Sequence, residues 1–191
     1  MKATVFIVLY LCLIAIFPHR CPAADNSTYE PNKYGISAIM GTVYDPADNI
    51  FFGQVSFSAI FDYDRIWRHR APDNLRFKVA AAVGLAHLDS NNVRFIANTN
   101  ILALYYLDLW TDTNISPFVE AGIGLIYTDY TVTGQAYRYN FNPQAGIGIE
   151  IKRRSGQTNF LALRMHHLSN SGINHDNRGQ NSLILVFGQY F

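Results

Sequence analysis

Leu75-Arg76-Phe77-Lys78-Val79-Ala80-Ala81-Ala82-Val83-Gly84-Leu85-Ala86 is the stretch that decides the fold. Leu75, Phe77, Val79, Ala81, Val83 and Leu85 share one parity; Arg76, Lys78, Ala80, Ala82, Gly84 and Ala86 share the other. Successive side chains of a strand point to opposite faces, so one face here is apolar and the other is small and charged together. The division recurs further along. Ala145, Ile147, Ile149 and Ile151 oppose Gln144, Gly146, Gly148, Glu150 and Lys152, and Val119, Ala121, Ile123 and Leu125 oppose Glu120, Gly122 and Gly124. A soluble barrel has the reverse sense, with large apolar side chains inside and polar ones in water. Here the apolar face suits lipid. The other face suits a narrow lumen, where Gly and Ala leave room and Glu120, Glu150, Arg76, Lys78 and Arg164 must pair to be tolerated.

Working outward, eight stretches of strand-like composition are separated by turn residues: Tyr34–Tyr44, Ile50–Phe61, Leu75–Leu88, Val93–Trp110, Pro117–Tyr127, Phe141–Arg153, Phe160–Asn170 and Asn181–Phe191. Most exceed the five or six residues typical of soluble sheets and are long enough to span a membrane when tilted. No helical pattern of any length is evident. The expected fold is therefore all-β: an eight-stranded antiparallel outer-membrane β-barrel with both termini on the periplasmic side. The connections Asp45–Asn49, Asp89–Asn92, Thr128–Asn140 and Ser171–Gln180 would then face outward. Asp62–Asn74, with Arg65, Arg68, His69 and Arg70, is long for a periplasmic turn; a plain solvated loop is expected, with an interfacial segment at the lipid headgroups as the alternative. Tyr44, Trp110, Tyr127, Tyr130 and Tyr190, near strand ends, are expected to supply aromatic girdles. The chain ends on Phe191, although Gln189 interrupts the apolar parity just before it.

Composition agrees. The 191 residues are 49% hydrophobic, 14% aromatic and 15% charged, with formal net charge +1, which fits one domain and argues against disorder. No basic block could track a phosphate backbone, so nucleic acid is not an expected partner. The mean hydropathy of +0.02 is too polar for a bundle of membrane helices. Residues 1–24 are set apart as a cleaved secretory signal: Lys2, the apolar run Ala3–Phe17, Pro18, then Ala23 and Ala24. A run of this length is short for a spanning helix. Cys21 follows Pro18-His19-Arg20, unlike a lipoprotein site. Both cysteines, Cys12 and Cys21, lie in this segment, so the mature domain, 25–191, has no disulfide and no thiol nucleophile. Without Lys2 and Arg20 the 15 basic residues become 13, against 14 acidic.

The chemistry concentrates in Arg164-Met165-His166-His167-Leu168-Ser169-Asn170-Ser171-Gly172-Ile173, continuing through Asn177-Arg178-Gly179 to Ser182. His167 and Ser169 share a face with Leu161, Leu163 and Met165, the lipid-facing set. A Ser beside a His is the minimum for nucleophilic acyl transfer, in which imidazole takes the hydroxyl proton. If the last hairpin is centred near Asn174, Asn181 lies opposite His167, on the same face as Leu183, Leu185 and Phe187. His-x-Ser pairs also arise by chance, and a histidine at a barrel rim often simply meets headgroups.

His167-Leu168-Ser169-Asn170-Ser171-Gly172-Ile173, with Asn177-Arg178-Gly179 and a terminal strand, resembles the PagL family of outer-membrane lipid A 3-O-deacylases. Pro117-Phe118-Val119-Glu120-Ala121-Gly122-Ile123-Gly124 and Gly146-Ile147-Gly148-Ile149-Glu150 resemble two further strands of that family. The resemblance implies a barrel whose catalytic residues face the bilayer, with Ser169 as nucleophile and His167 as general base. The family's acidic triad member aligns with Asn181, a departure that would slow turnover; Asp176 is an alternative carboxylate. Asn170, Gly172 and Asn177 are oxyanion candidates. The implied reaction is hydrolysis, through an acyl-enzyme, of the ester-linked 3-hydroxyacyl chain at position 3 of lipid A. The substrate would be lipopolysaccharide in the outer membrane, and no metal or organic cofactor is needed. Two other readings remain: a non-catalytic structural or adhesive barrel of the same fold, for which Asn181 argues, and a soluble lipocalin-type carrier.

Overall fold

Alternation builds most of the described chain into nine strands: β1 (Lys33–Asp45), β2 (Phe51–Asp62), β3 (Leu75–Leu88), β4 (Asn92–Tyr106), β5 (Ile115–Thr128), β6 (Tyr139–Phe141), β7 (Gln144–Lys152), β8 (Thr158–Leu168) and β9 (Gln180–Tyr190). One short helix, α1, spans Tyr63–Trp67. The structure, a computed structural model, describes residues 31–191 apart from 47–48, 68–69, 89–91 and 111–112. The predicted signal, 1–24, and the predicted loop cations Arg68 and His69 lie outside the described residues.

Strands pair antiparallel in sequence order, except that β6 and β7 both pair with β5 rather than with each other; β1 pairs with β9, and the sheet closes into a barrel. β6 and β7 form one stave: Leu125 faces Phe141 and Gly122 faces Gln144 in a single register. The break is at Asn142-Pro143, because proline has no N–H to give the ladder. The eight-stranded barrel is therefore as read from the sequence, with the sixth strand interrupted. Because β1 begins beside the end of β9 (Phe191 and Tyr34 bond each other in both directions), the connections after β1, β3, β5 and β8 lie together at the opposite end, the one expected from the sequence to face outward and termed outer below.

The two faces sort as expected. Val79, Val83, Leu85, Ile123, Ile147 and Leu163 are exposed, whereas Lys78, Glu120, Glu150 and Arg164 are buried. In the lumen Lys78 Nζ lies 2.8 Å from Glu120 Oε2 and Arg164 Nε 2.5 Å from Glu120 Oε1. Glu150 takes Lys33 Nζ at 2.9 Å and the hydroxyl of Tyr106. Arg76 pairs with Asp62 at 3.2 Å. Gly146 makes the room anticipated for such groups: a Cβ there would stand 2.8 Å from Arg164 Cγ.

Four expectations are corrected. The lumen is not only small and charged, since Phe52, Ile60, Leu102, Leu104, Phe118 and Phe160 also fill it. Tyr190 is no girdle residue; it points inward and stacks on Phe160 with ring centroids 4.3 Å apart. Tyr130 is likewise buried at the outer end, its hydroxyl 3.5 Å from Gln180 Oε1. Asp62–Asn74 is not a plain solvated loop: α1 lays Trp67 edge-on against Phe77, centroids 5.7 Å apart, covering an outward-facing ring of β3. A tryptophan on the outer wall beside a strand end matches the interfacial alternative.

Candidate active site

The outer ends of β8 and β9 bring His167 and Asn181 into contact, while among the described residues no hydrogen bond joins Ser169 Oγ to His167. His167 faces Asn181 in the β8–β9 register, and both, with Ser169, belong to the outward-facing set. His167 Nδ1 lies 2.6 Å from Asn181 Oδ1. That oxygen can only accept, so Nδ1 carries a proton, which in the neutral imidazole leaves the lone pair on Nε2. Asp176, the alternative carboxylate, is not the partner of His167: its backbone N–H bonds Asn174 Oδ1, and its carbonyl accepts from Asn170 Nδ2 and Ala136 N.

Ser169 is fixed by its main chain, which exchanges both hydrogen bonds with Phe141 at 2.9 and 3.1 Å. The same stave holds His167, whose N–H donates to Pro143 O at 3.0 Å. The chain then turns through Ser171 and Gly172, with φ of 56° and 75°. Among the oxyanion candidates, Asn170 is turned inward, its N–H given to Asn177 Oδ1 at 2.8 Å and its Nδ2 to the Asp176 carbonyl at 3.2 Å. That bond fixes the Asn177 amide with Nδ2 pointing the other way. Gly172 lies in the exposed turn.

Three supports carried no assigned role in the sequence reading. Gly179 is the first: a Cβ there would stand 2.6 Å from His167 Cε1 and 3.0 Å from Leu168 O, so the imidazole lies across a residue that must be small. Asp45, at the end of β1, is the second; it accepts from Asn181 Nδ2 at 2.9 Å and pairs with Arg178. The third is the β5–β6 connection. It crosses the outer end of the barrel and bonds the β8–β9 loop through Ala136 N to Asp176 O at 2.9 Å and Arg178 N to Gly134 O at 2.8 Å. Gln135, tucked beneath, accepts from Gln180 Nε2 at 2.8 Å.

An apolar groove of about 680 Å³ begins directly below these residues. Met165 and Leu183 line it, and Met165 lies two residues before His167 on the same face, some 6 to 7 Å away. The register then carries the groove sideways through Ala145, Ala121 and Ala103 to Leu75, at the start of β3, and Tyr105, near the end of β4. The three alanines form its floor. The groove thus runs obliquely down the outer wall from the His167–Asn181 pair, on the lipid side.

A family model described as "Lipid A 3-O-deacylase (PagL)" matches residues 53–189. The solved structure titled "Crystal structure of the outer membrane enzyme PagL" superposes with a TM-score of 0.55 at 21% identity, over 81% of this chain and 97% of that one. Neisserial surface protein A gives a TM-score of 0.63 at 12% identity, over 83% of this chain and 94% of that one. These two structural likenesses support the barrel fold. No curated protein matches by sequence.

Proposed function

From the premise that the chain belongs to the PagL family of lipid A 3-O-deacylases, outer-membrane carboxylic ester hydrolases, we propose that Ser169 and His167 carry out the hydrolysis. Ser169 Oγ attacks the carbonyl of the ester at position 3 of lipid A while His167 Nε2 takes its proton. Collapse of the tetrahedral intermediate expels the sugar oxygen, which recovers that proton from His167, and leaves an acyl-enzyme. Water, activated by the same imidazole, releases the 3-hydroxy fatty acid. Asn181 Oδ1 holds the Nδ1–H tautomer throughout. The free Nδ2 of Asn177 and the N–H of Gly172 are the donors suited to the oxyanion.

One observation carries this reading: His167 Nδ1 bonds Asn181 Oδ1 at 2.6 Å on the outside of the barrel, directly above an apolar groove. An acyl chain lying in that groove brings its ester to headgroup depth, where lipid A of the outer leaflet sits. The same bond weighs against the non-catalytic reading, because Asn181 presents to imidazole the acceptor that a carboxylate would present. Mass spectrometry of lipid A from cells expressing the chain tests the proposal. Loss of one 3-hydroxyacyl mass, abolished by Ser169→Ala, is expected. Deacylation that persists in a correctly inserted Ser169→Ala barrel would refute the nucleophile.

A further inference from the structure

The geometry points to Asp45 as a positioning residue for this site: its carboxylate sets the Asn181 amide so that Oδ1, not Nδ2, faces His167. The inference rests on the catalytic reading of His167 and Ser169 given above. An asparagine in the third position of a triad is hazardous because the amide has two ends. With Oδ1 toward the ring, Nδ1 is protonated and Nε2 is a base. With Nδ2 toward the ring, Nδ1 accepts, Nε2 carries the proton, and the imidazole cannot receive one from serine. In Ser-His-Asp enzymes an Asp-to-Asn change costs roughly 10⁴ in kcat by holding that wrong tautomer.

Asp45 removes the ambiguity. An ionised carboxylate only accepts, and Asp45 Oδ2 lies 2.9 Å from Asn181 Nδ2. Turning the amide over would oppose two acceptors at Asp45 and two donors at His167. Asp45 is itself held from the other side, since Arg178 donates to Oδ1 while the Arg178 N–H is tied to Gly134 O. A chain of contacts therefore runs His167, Asn181, Asp45, Arg178. It depends on a bulge: Val43 faces Ser182, yet Asp45 faces Asn181, so Tyr44 is an extra residue in β1. Val43 is buried and Tyr44 exposed, and strict alternation would send Asp45 inward; the bulge returns it to the outer wall beside Asn181. Asp45 touches no reacting atom and acts only through Asn181.

The test is a charge-swap cycle on the full-length barrel in outer membranes, measuring kcat and KM for lipid A deacylation. Asp45→Asn is expected to lower kcat about tenfold with KM little changed, since position 45 then presents a donor as readily as an acceptor. Asn181→Asp sets two carboxylates face to face and is also impaired. Adding Asp45→Asn to Asn181→Asp restores a donor opposite an acceptor and is expected to raise kcat. That reversal of sign is not available to a residue that merely braces β1, which would lower activity in both backgrounds. Heat-modifiable gel migration reports folding of each variant. If Asp45→Asn alone fails to insert, the double variant against Asn181→Asp still carries the test. A fall in both backgrounds, or no effect in either, overturns the inference. Ser169→Ala run in parallel separates the two levels: activity retained there overturns the catalytic reading, whereas activity lost there with an inert Asp45 removes only this inference.

Discussion

Glu120 joins three strands through the lumen, and its removal tests the view of the barrel as a scaffold. Glu120 sits on β5, Lys78 on β3 and Arg164 on β8, with side-chain exposures of 0%, 3% and 6%. Its two oxygens take the two cations separately, at 2.8 and 2.5 Å. Glu120→Gln keeps the shape and removes the only charge that balances Lys78 and Arg164 at contact distance among the described residues. Arg164 Nη1 retains Gln144 Oε1 at 3.4 Å, an amide that offsets little of an uncompensated charge. Removing one partner of a buried ion pair costs about 3–5 kcal/mol. Two cations are stranded here but one nearby amide remains, so a loss of about 4 kcal/mol is expected. Urea titration of the barrel refolded into phospholipid vesicles, followed by tryptophan fluorescence and gel mobility, measures it. The control is the triple variant Lys78→Met, Glu120→Leu, Arg164→Met, which removes all three charges and is expected within about 1 kcal/mol of wild type, because desolvation and attraction disappear together. A loss below about 1 kcal/mol for Glu120→Gln would refute the reasoning, as would a triple variant no more stable than the single one.

Two further predictions concern the outer wall. Gly179→Ala places a methyl 2.6 Å from His167 Cε1; a ring pushed about an ångström is expected to lower kcat by roughly 10²-fold, while heat-modifiable migration shows an intact barrel. Ala145→Leu raises the floor of the groove between Ala121 and Met165. The ratio of kcat/KM for a long-chain over a short-chain ester should fall about tenfold, at the lower end of what a misfitted methylene costs in an apolar pocket; an unchanged ratio in a head-to-head assay would show that the chain lies elsewhere.

How much of this was legible follows from which interactions are local. Alternation in Leu75–Ala86 is a property of one strand, and it assigned Lys78 to the lumen and Val83 to lipid without knowledge of any partner. The Asn181–His167 pairing is nearly as local, since one hairpin joins β8 to β9 and its midpoint dictates who faces whom. The split at Asn142-Pro143 was readable in principle, because a proline cannot complete a ladder. Tyr190 misled because an aromatic near a strand end suits a girdle and a lumen equally; parity with Val186 and Gly188, not residue type, turns it inward. The alanine floor was half visible, as Ala121 and Ala145 stand among bulky outward residues, but only the registers between staves align them with Ala103 and Met165. Asp45 was beyond reach on two counts. It is 136 residues from Asn181, at the barrel closure where the first strand meets the last, and one extra residue at Tyr44 reverses the face that alternation would assign it. A bulge of this kind is produced by the partner strand and leaves no period of its own, so the contact between Asp45 and Asn181, the proposed third triad member, had no trace in the sequence around either residue.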